Sequence, residues 1–106
     1  MRRPEKPTRL GDALREYLER SGLVERVEEA AVLPEWGERV GPGIAAVTTP
    51  LRVAHGGTLI VAVRSSAWLM ELKLMEREIL RSLNAGRARG RIRRIQFVME
   101  AMEAGA

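Results

Sequence analysis

The chain has 106 residues, of which 45% are apolar and 30% charged, with a formal net charge of +4 and no Cys. That length and composition fit one small globular domain with a single core and exclude a disordered chain. No apolar run approaches the roughly 20 residues of a membrane helix, Met1-Arg2-Arg3-Pro4 leads into no apolar signal stretch, and the missing Cys excludes disulfides, thiol nucleophiles and thiolate metal sites.

A cytoplasmic protein without membrane partners is the resulting expectation. The charge is unevenly placed. Sixteen Arg and two Lys face fourteen acids, and the halves differ: residues 1–50 carry a net −1 and residues 51–106 a net +5. The second half is therefore the candidate polyanion-binding half.

Residues 1–8, with two Pro and no apolar residue after Met1, read as a flexible tail. Leu10, Leu14, Tyr17 and Leu18 fall on one helical stripe that Ser21-Gly22 ends. A second helix starts near Leu23 with Val24, Val27, Ala30 and Ala31 inward and Glu25, Glu28 and Glu29 outward. Pro34 either kinks it or sits in the first turn of a new helix carrying Trp36 and Val40. Gly41-Pro42-Gly43 breaks the pattern, and Ile44 to Val47 has room for a further short turn.

From Thr48 the apolar period changes to two. Leu51 and Val53 alternate with Arg52 and Ala54, His55-Gly56-Gly57-Thr58 is a hairpin signal, and Leu59, Val61 and Val63 alternate beyond it. Ser65-Ser66 supplies the N-cap of one long helix to Asn84, with Trp68, Leu69, Leu72, Met75, Ile79, Leu80 and Leu83 inward. After the basic loop Gly86–Gly90, a last strand spans about Ile92 to Met99, and 100–106 is a short tail.

The expected fold is α+β, in the order α-α-β-β-α-β. A parallel last strand completes a three-stranded mixed sheet with helices on one face. Leu51, Val53, Leu59, Val61, Val63, Ile95 and Phe97 should face the helices. That parity leaves Arg52, Arg64, Arg94 and Gln96 on the other face.

No catalytic or metal constellation emerges. His55 is the lone His and stands at a hairpin tip without an acidic neighbour in sequence. Glu28-Glu29 and Glu76/Glu78 read as solvated helix acids. The chain is therefore read as non-enzymatic, without cofactor or small-molecule substrate. The sharpest local signal is Arg87, Arg89, Arg91, Arg93 and Arg94, five guanidinium groups within eight residues interspersed with Gly and Ala. Guanidinium forks match phosphate oxygens, and Arg52 and Arg64 extend the positive field over the open sheet face. Such a patch reads backbone charge rather than base sequence. Trp68, in the first turn of the long helix, is a candidate partner anchor.

The segments Trp36-Gly37-Glu38-Arg39-Val40-Gly41, Val61-Ala62-Val63-Arg64-Ser65-Ser66-Ala67-Trp68-Leu69 and Ile92-Arg93-Arg94-Ile95-Gln96-Phe97 follow one another in an order and spacing that resembles the DciA family of bacterial replication proteins. The resemblance covers about residues 10–99. It implies a KH-like domain over 9–99 and a non-enzymatic factor that engages the ring-shaped replicative DNA helicase, of DnaB type, and promotes its loading on DNA. It further implies binding to single-stranded or forked DNA. Trp68 with Ser65 and Ser66 matches the family's best-marked motif. The long disordered extension usual in the family has no counterpart in the eight residues before the first helix and about seven after the last strand, so either the folded domain makes the helicase contact alone or the chain is a minimal variant with altered partners. Gly86-Arg87-Ala88-Arg89-Gly90 lacks the Gly-x-x-Gly spacing with which KH domains clamp nucleic-acid backbone. The alternative is a KH-like RNA-binding module, for example in ribosome assembly.

Overall fold

A computed structural model describes residues 9–100. The tails expected at 1–8 and, Glu100 apart, at 100–106 lie outside the described residues. Six helices and three strands follow in the order α1 (Arg9–Ser21), α2 (Leu23–Ala30), α3 (Val32–Val40), α4 (Pro42–Ala46), β1 (Thr48–Ala54), β2 (Thr58–Val63), α5 (Ser66–Leu74), α6 (Glu76–Asn84) and β3 (Arg94–Met99). The α+β class and the mixed sheet agree with the sequence: β1 pairs antiparallel and β3 parallel with the central β2.

The helix boundaries settle one alternative and differ from expectation in one place. The second helix ends at Ala30, and the Ala31 amide bonds back to Glu28. Pro34 then occupies the first turn of α3, where an amide has no helical partner to lose. The long helix expected from Ser66 to Asn84 divides at Met75, whose amide bonds to Leu72, a tighter turn than the α-helix makes. The bend lets α5 lie on β2 and β3 while α6 leans against α3.

The core lies between the helices and one sheet face. Leu59, Val61, Val63, Ile95 and Phe97 meet Val32, Trp36, Leu72, Ile79, Leu83 and Ile92 there. Two side chains take the core's polar duties. The Trp36 indole donates to Thr48 Oγ1 (2.9 Å), which donates to the Ile44 carbonyl (2.7 Å). Buried Asn84 accepts from the Ile92 amide (2.8 Å) and donates to its carbonyl (2.9 Å), fixing the chain just before β3 to the end of α6. Each bond satisfies a group whose burial without a partner costs about 1–3 kcal/mol.

Leu51 corrects the expected parity. The β1 register shifts between Pro50 and Arg52, so Pro50 opposes Val61 and Val53 opposes Leu59, while Leu51 sits in the irregularity and is 49% exposed. On the opposite face Arg52 and Gln96 flank Ile60, and Arg94 opposes Thr58, as the alternation predicts. Ile60 is nonetheless buried.

Candidate nucleic-acid interface

The basic loop from Gly86 to Arg93 is held at three points. At its far end the Arg93 amide donates to the Gly57 carbonyl (2.8 Å), seating the loop against the β1–β2 hairpin. In its middle the Gly90 amide donates to Glu25 Oε2 (2.9 Å). Gly90 lies so close to α2 that a Cβ there would stand 2.5 Å from Glu28 Cβ. At its near end Arg87 turns inward. Its guanidinium donates to the Glu28 carbonyl, to the Gly90 carbonyl (3.3 Å) and to Glu35 Oε1 (3.4 Å), and the side chain is 9% exposed. Glu29 is buried in this region, contrary to the expected solvated acid, where the loop crosses α2.

The seven candidate arginines therefore separate into groups. Arg52, Arg93 and Arg94 are exposed and gather at the hairpin end of the sheet: Arg94 opposes Thr58, Arg52 opposes Ile60, and the Arg93 stem approaches Gly57. Exposed His55 stands at the same hairpin. Arg89 is exposed and lines a hollow with Leu14, Leu18 and Val24 of the first two helices. Arg91 is exposed, donates to the Arg87 carbonyl (3.1 Å) and turns toward the end of α6. Among the described residues none of these five forms an ion pair.

Arg64 and Arg87 stand apart. Arg64 follows β2 and reaches Glu100 (3.6 Å). Six residues from Thr58, it lies roughly 20 Å from the hairpin end, at about 3.3 Å per strand residue. Arg87 is enclosed by its internal partners. Sequence reasoning also passed over Arg39, which donates to the Ser82 and Ala85 carbonyls (3.0 and 2.9 Å) and pairs with Glu35 (3.5 Å). It closes the C-terminal end of α6 from a distance of more than forty residues, and the (i, i+4) spacing from Glu35 was its one visible signal.

The second expected site is built around Trp68. The Ser65 hydroxyl accepts from the Trp68 amide (3.2 Å), the N-cap of α5, and so holds the Trp at the helix entrance. Ser66 is exposed. Trp68 is half-buried, and with Ile44, Ala67, Glu71 and Met75 it lines an open, mainly apolar groove of about 390 Å³. Met70 and Leu74, one helical turn apart on α5, are 68% and 83% exposed. Trp36, in contrast, is a core residue at 2% exposure.

No group of three potential metal-ligating side chains occurs among the described residues, and no described helix is long and apolar enough to cross a membrane.

Comparison with known proteins shows which family the chain is similar to. The family model described as "Dna[CI] antecedent, DciA" matches residues 9–97. A UPF0232 protein of Mycobacterium tuberculosis is 35% identical over 79 residues, which cover 74% of this chain and 42% of the relative. UPF0232 proteins of Mycobacterium ulcerans and Mycobacterium leprae are 32% and 29% identical over 84 residues, 79% of this chain and 44% of each relative. The chain thus spans less than half the length of these curated relatives. With the match running from the first residue of α1 into β3, the chain belongs to the DciA family.

Proposed function

We propose that this chain is a non-enzymatic accessory factor that binds DNA through its phosphate backbone, engages the DnaB-type replicative helicase and promotes its loading on single-stranded or forked DNA. The observation that carries the DNA part is the set Arg52, Arg89, Arg91, Arg93 and Arg94, exposed and without ion pairs among the described residues, on a loop and sheet end that are themselves pinned in place. A pinned backbone lowers the ordering cost of bringing exposed guanidinium groups to phosphates. Arg87 serves this array as the strut that anchors the loop, and Arg64, bridged to Glu100, lies at its margin.

The helicase part is supported by family membership and by the Trp68 groove with Met70 and Leu74 beside it. A large aromatic next to exposed apolar side chains is the composition of an interface centre, and the groove's lining contains no Arg. DNA and helicase therefore occupy separate surfaces in this reading.

Mixing the protein with the host's replicative helicase and a forked DNA tests it directly. The expected result is a complex and faster unwinding; no association with the helicase under conditions where the helicase binds DNA rejects the loading role. Leu74→Asp, at a position that contributes little to the core, is expected to weaken helicase capture at least tenfold and leave DNA affinity unchanged. Pull-down and fluorescence anisotropy, run on the same variant, measure the two.

A further inference from the structure

Arg91 is exposed but not isolated. With Arg77 and Arg81 it lines an open hollow of about 550 Å³ along α6, which Leu80, Asn84 and Ala85 also line. On their own helix Arg77 and Arg81 are two exposed cations four residues apart. In the fold they stand with a third guanidinium delivered from a different stretch of chain.

Several features separate this hollow from an ordinary solvated face. No acidic side chain lines it. Among the described residues none of its three arginines forms an ion pair, and all three are exposed. Its other polar side chain, Asn84, is committed to Ile92. Arg77 and Arg81 are four residues apart on one helix, a like-charge spacing that costs a helix about 0.2–0.5 kcal/mol without an anion between them. Arg91 is preset by its bond to the Arg87 carbonyl, on a loop anchored to α2.

The positive surface also continues. Across the Met75 turn from Arg77, Lys73 lines a groove with Arg94 at the hairpin end of the sheet, where Ala54 and Thr58 also line it. The acid in that groove, Glu76, accepts the Ile95 amide (2.9 Å). Arg77 and Arg81 stand about 6 Å apart along α6, and Lys73 precedes them on α5, beyond the turn at Met75. No aromatic side chain lines the hollow, so nothing there stacks on a base; what it offers is charge and donor hydrogens for phosphate oxygens.

We propose that the Arg77–Arg81–Arg91 hollow is a phosphate subsite, and that a nucleic-acid backbone bound at the hairpin end runs from Arg94 past Lys73 into it. This inference rests on the DNA-binding reading above. It adds a path along the β3 edge and α6, with two contact residues that lie outside the Arg-rich loop.

The test uses the full chain and a single-stranded oligonucleotide, with affinity measured by fluorescence anisotropy across a salt series. Arg77→Gln/Arg81→Gln changes two exposed helix positions to another good helix former, so thermal melting should not move. Binding at low salt is expected to weaken by about tenfold. The slope of log affinity against log salt is expected to become shallower by about 1.4, two phosphate contacts at roughly 0.7 each on a single strand. Arg77→Lys/Arg81→Lys, which keeps the charge, should retain most of the slope. If the Gln variant binds with wild-type affinity and slope while Arg93→Gln/Arg94→Gln weakens binding, the hollow is no subsite and the DNA reading stands. If the wild-type chain binds no oligonucleotide at low salt, the DNA reading falls and the subsite falls with it.

Discussion

Gly90→Ala is expected to lower the stability of the fold by about 3 kcal/mol or more, read as a drop in melting temperature on the order of 10 °C or more. The added Cβ would lie 2.5 Å from Glu28 Cβ, 2.6 Å from the Glu28 carbonyl carbon and 2.7 Å from the Glu29 amide nitrogen. Two of these are backbone atoms of α2, which no rotamer change moves. The glycine also has φ +64°, a conformation that costs an L-residue about 1–2 kcal/mol. The remaining cost comes from lifting the loop: the Gly90–Glu25 bond and the Arg87 bonds to Gly90 and Glu28 must stretch together. Gly86→Ala is the control. It carries φ +79° but has nothing within 4 Å of a Cβ, so it should show the conformational cost alone. Equal melting temperatures for the two variants would refute the close contact between loop and α2.

Arg87→Leu is expected to destabilise by about 1–2 kcal/mol while leaving the salt dependence of DNA binding unchanged. Removing this guanidinium takes its donor from the partly buried Gly90 carbonyl, a cost of order 1 kcal/mol, and leaves the Glu28 carbonyl with the Ala31 amide alone. Glu35 limits the damage, because Arg39 stands 3.5 Å from the same carboxylate oxygen and keeps it paired. Chemical denaturation measures the first part of the prediction and a salt titration of DNA binding the second. A variant that melts like the wild type but binds DNA with a shallower slope would move Arg87 from the strut to the interface.

These expectations show where sequence reasoning stops. Period-two alternation identified the three strands and the face on which Arg52, Arg94 and Gln96 lie, because a strand's side-chain direction is a local property. It failed at Leu51, where a register shift beside Pro50, a residue that strands accept at edges and bulges, turns the side chain out. Along the loop, Arg87, Arg89, Arg91 and Arg93 look equivalent in sequence. What distinguishes them is what the loop lies against: Glu25 and Glu28 of α2 and Glu35 of α3, more than fifty residues earlier, capture Arg87 and Gly90 and leave the others outside. Arg77 and Arg81 stand four apart in sequence, but Arg91 joins them only through the fold of the loop. The divisions at Ala31 and Met75 have the same origin. Each lets a helix follow its neighbours in the packed structure, and at Met75 neither Gly nor Pro marks the place.

The central claim is that exposed arginines on a pinned loop and sheet end hold DNA by its phosphates. The most direct measurement is the salt slope of DNA binding for the wild type against Arg89→Gln/Arg93→Gln/Arg94→Gln. On a duplex probe, three phosphate contacts at roughly 0.9 each should make the variant's slope shallower by about 2.7, with an unchanged melting temperature. An unchanged slope and affinity in a folded variant would contradict the account.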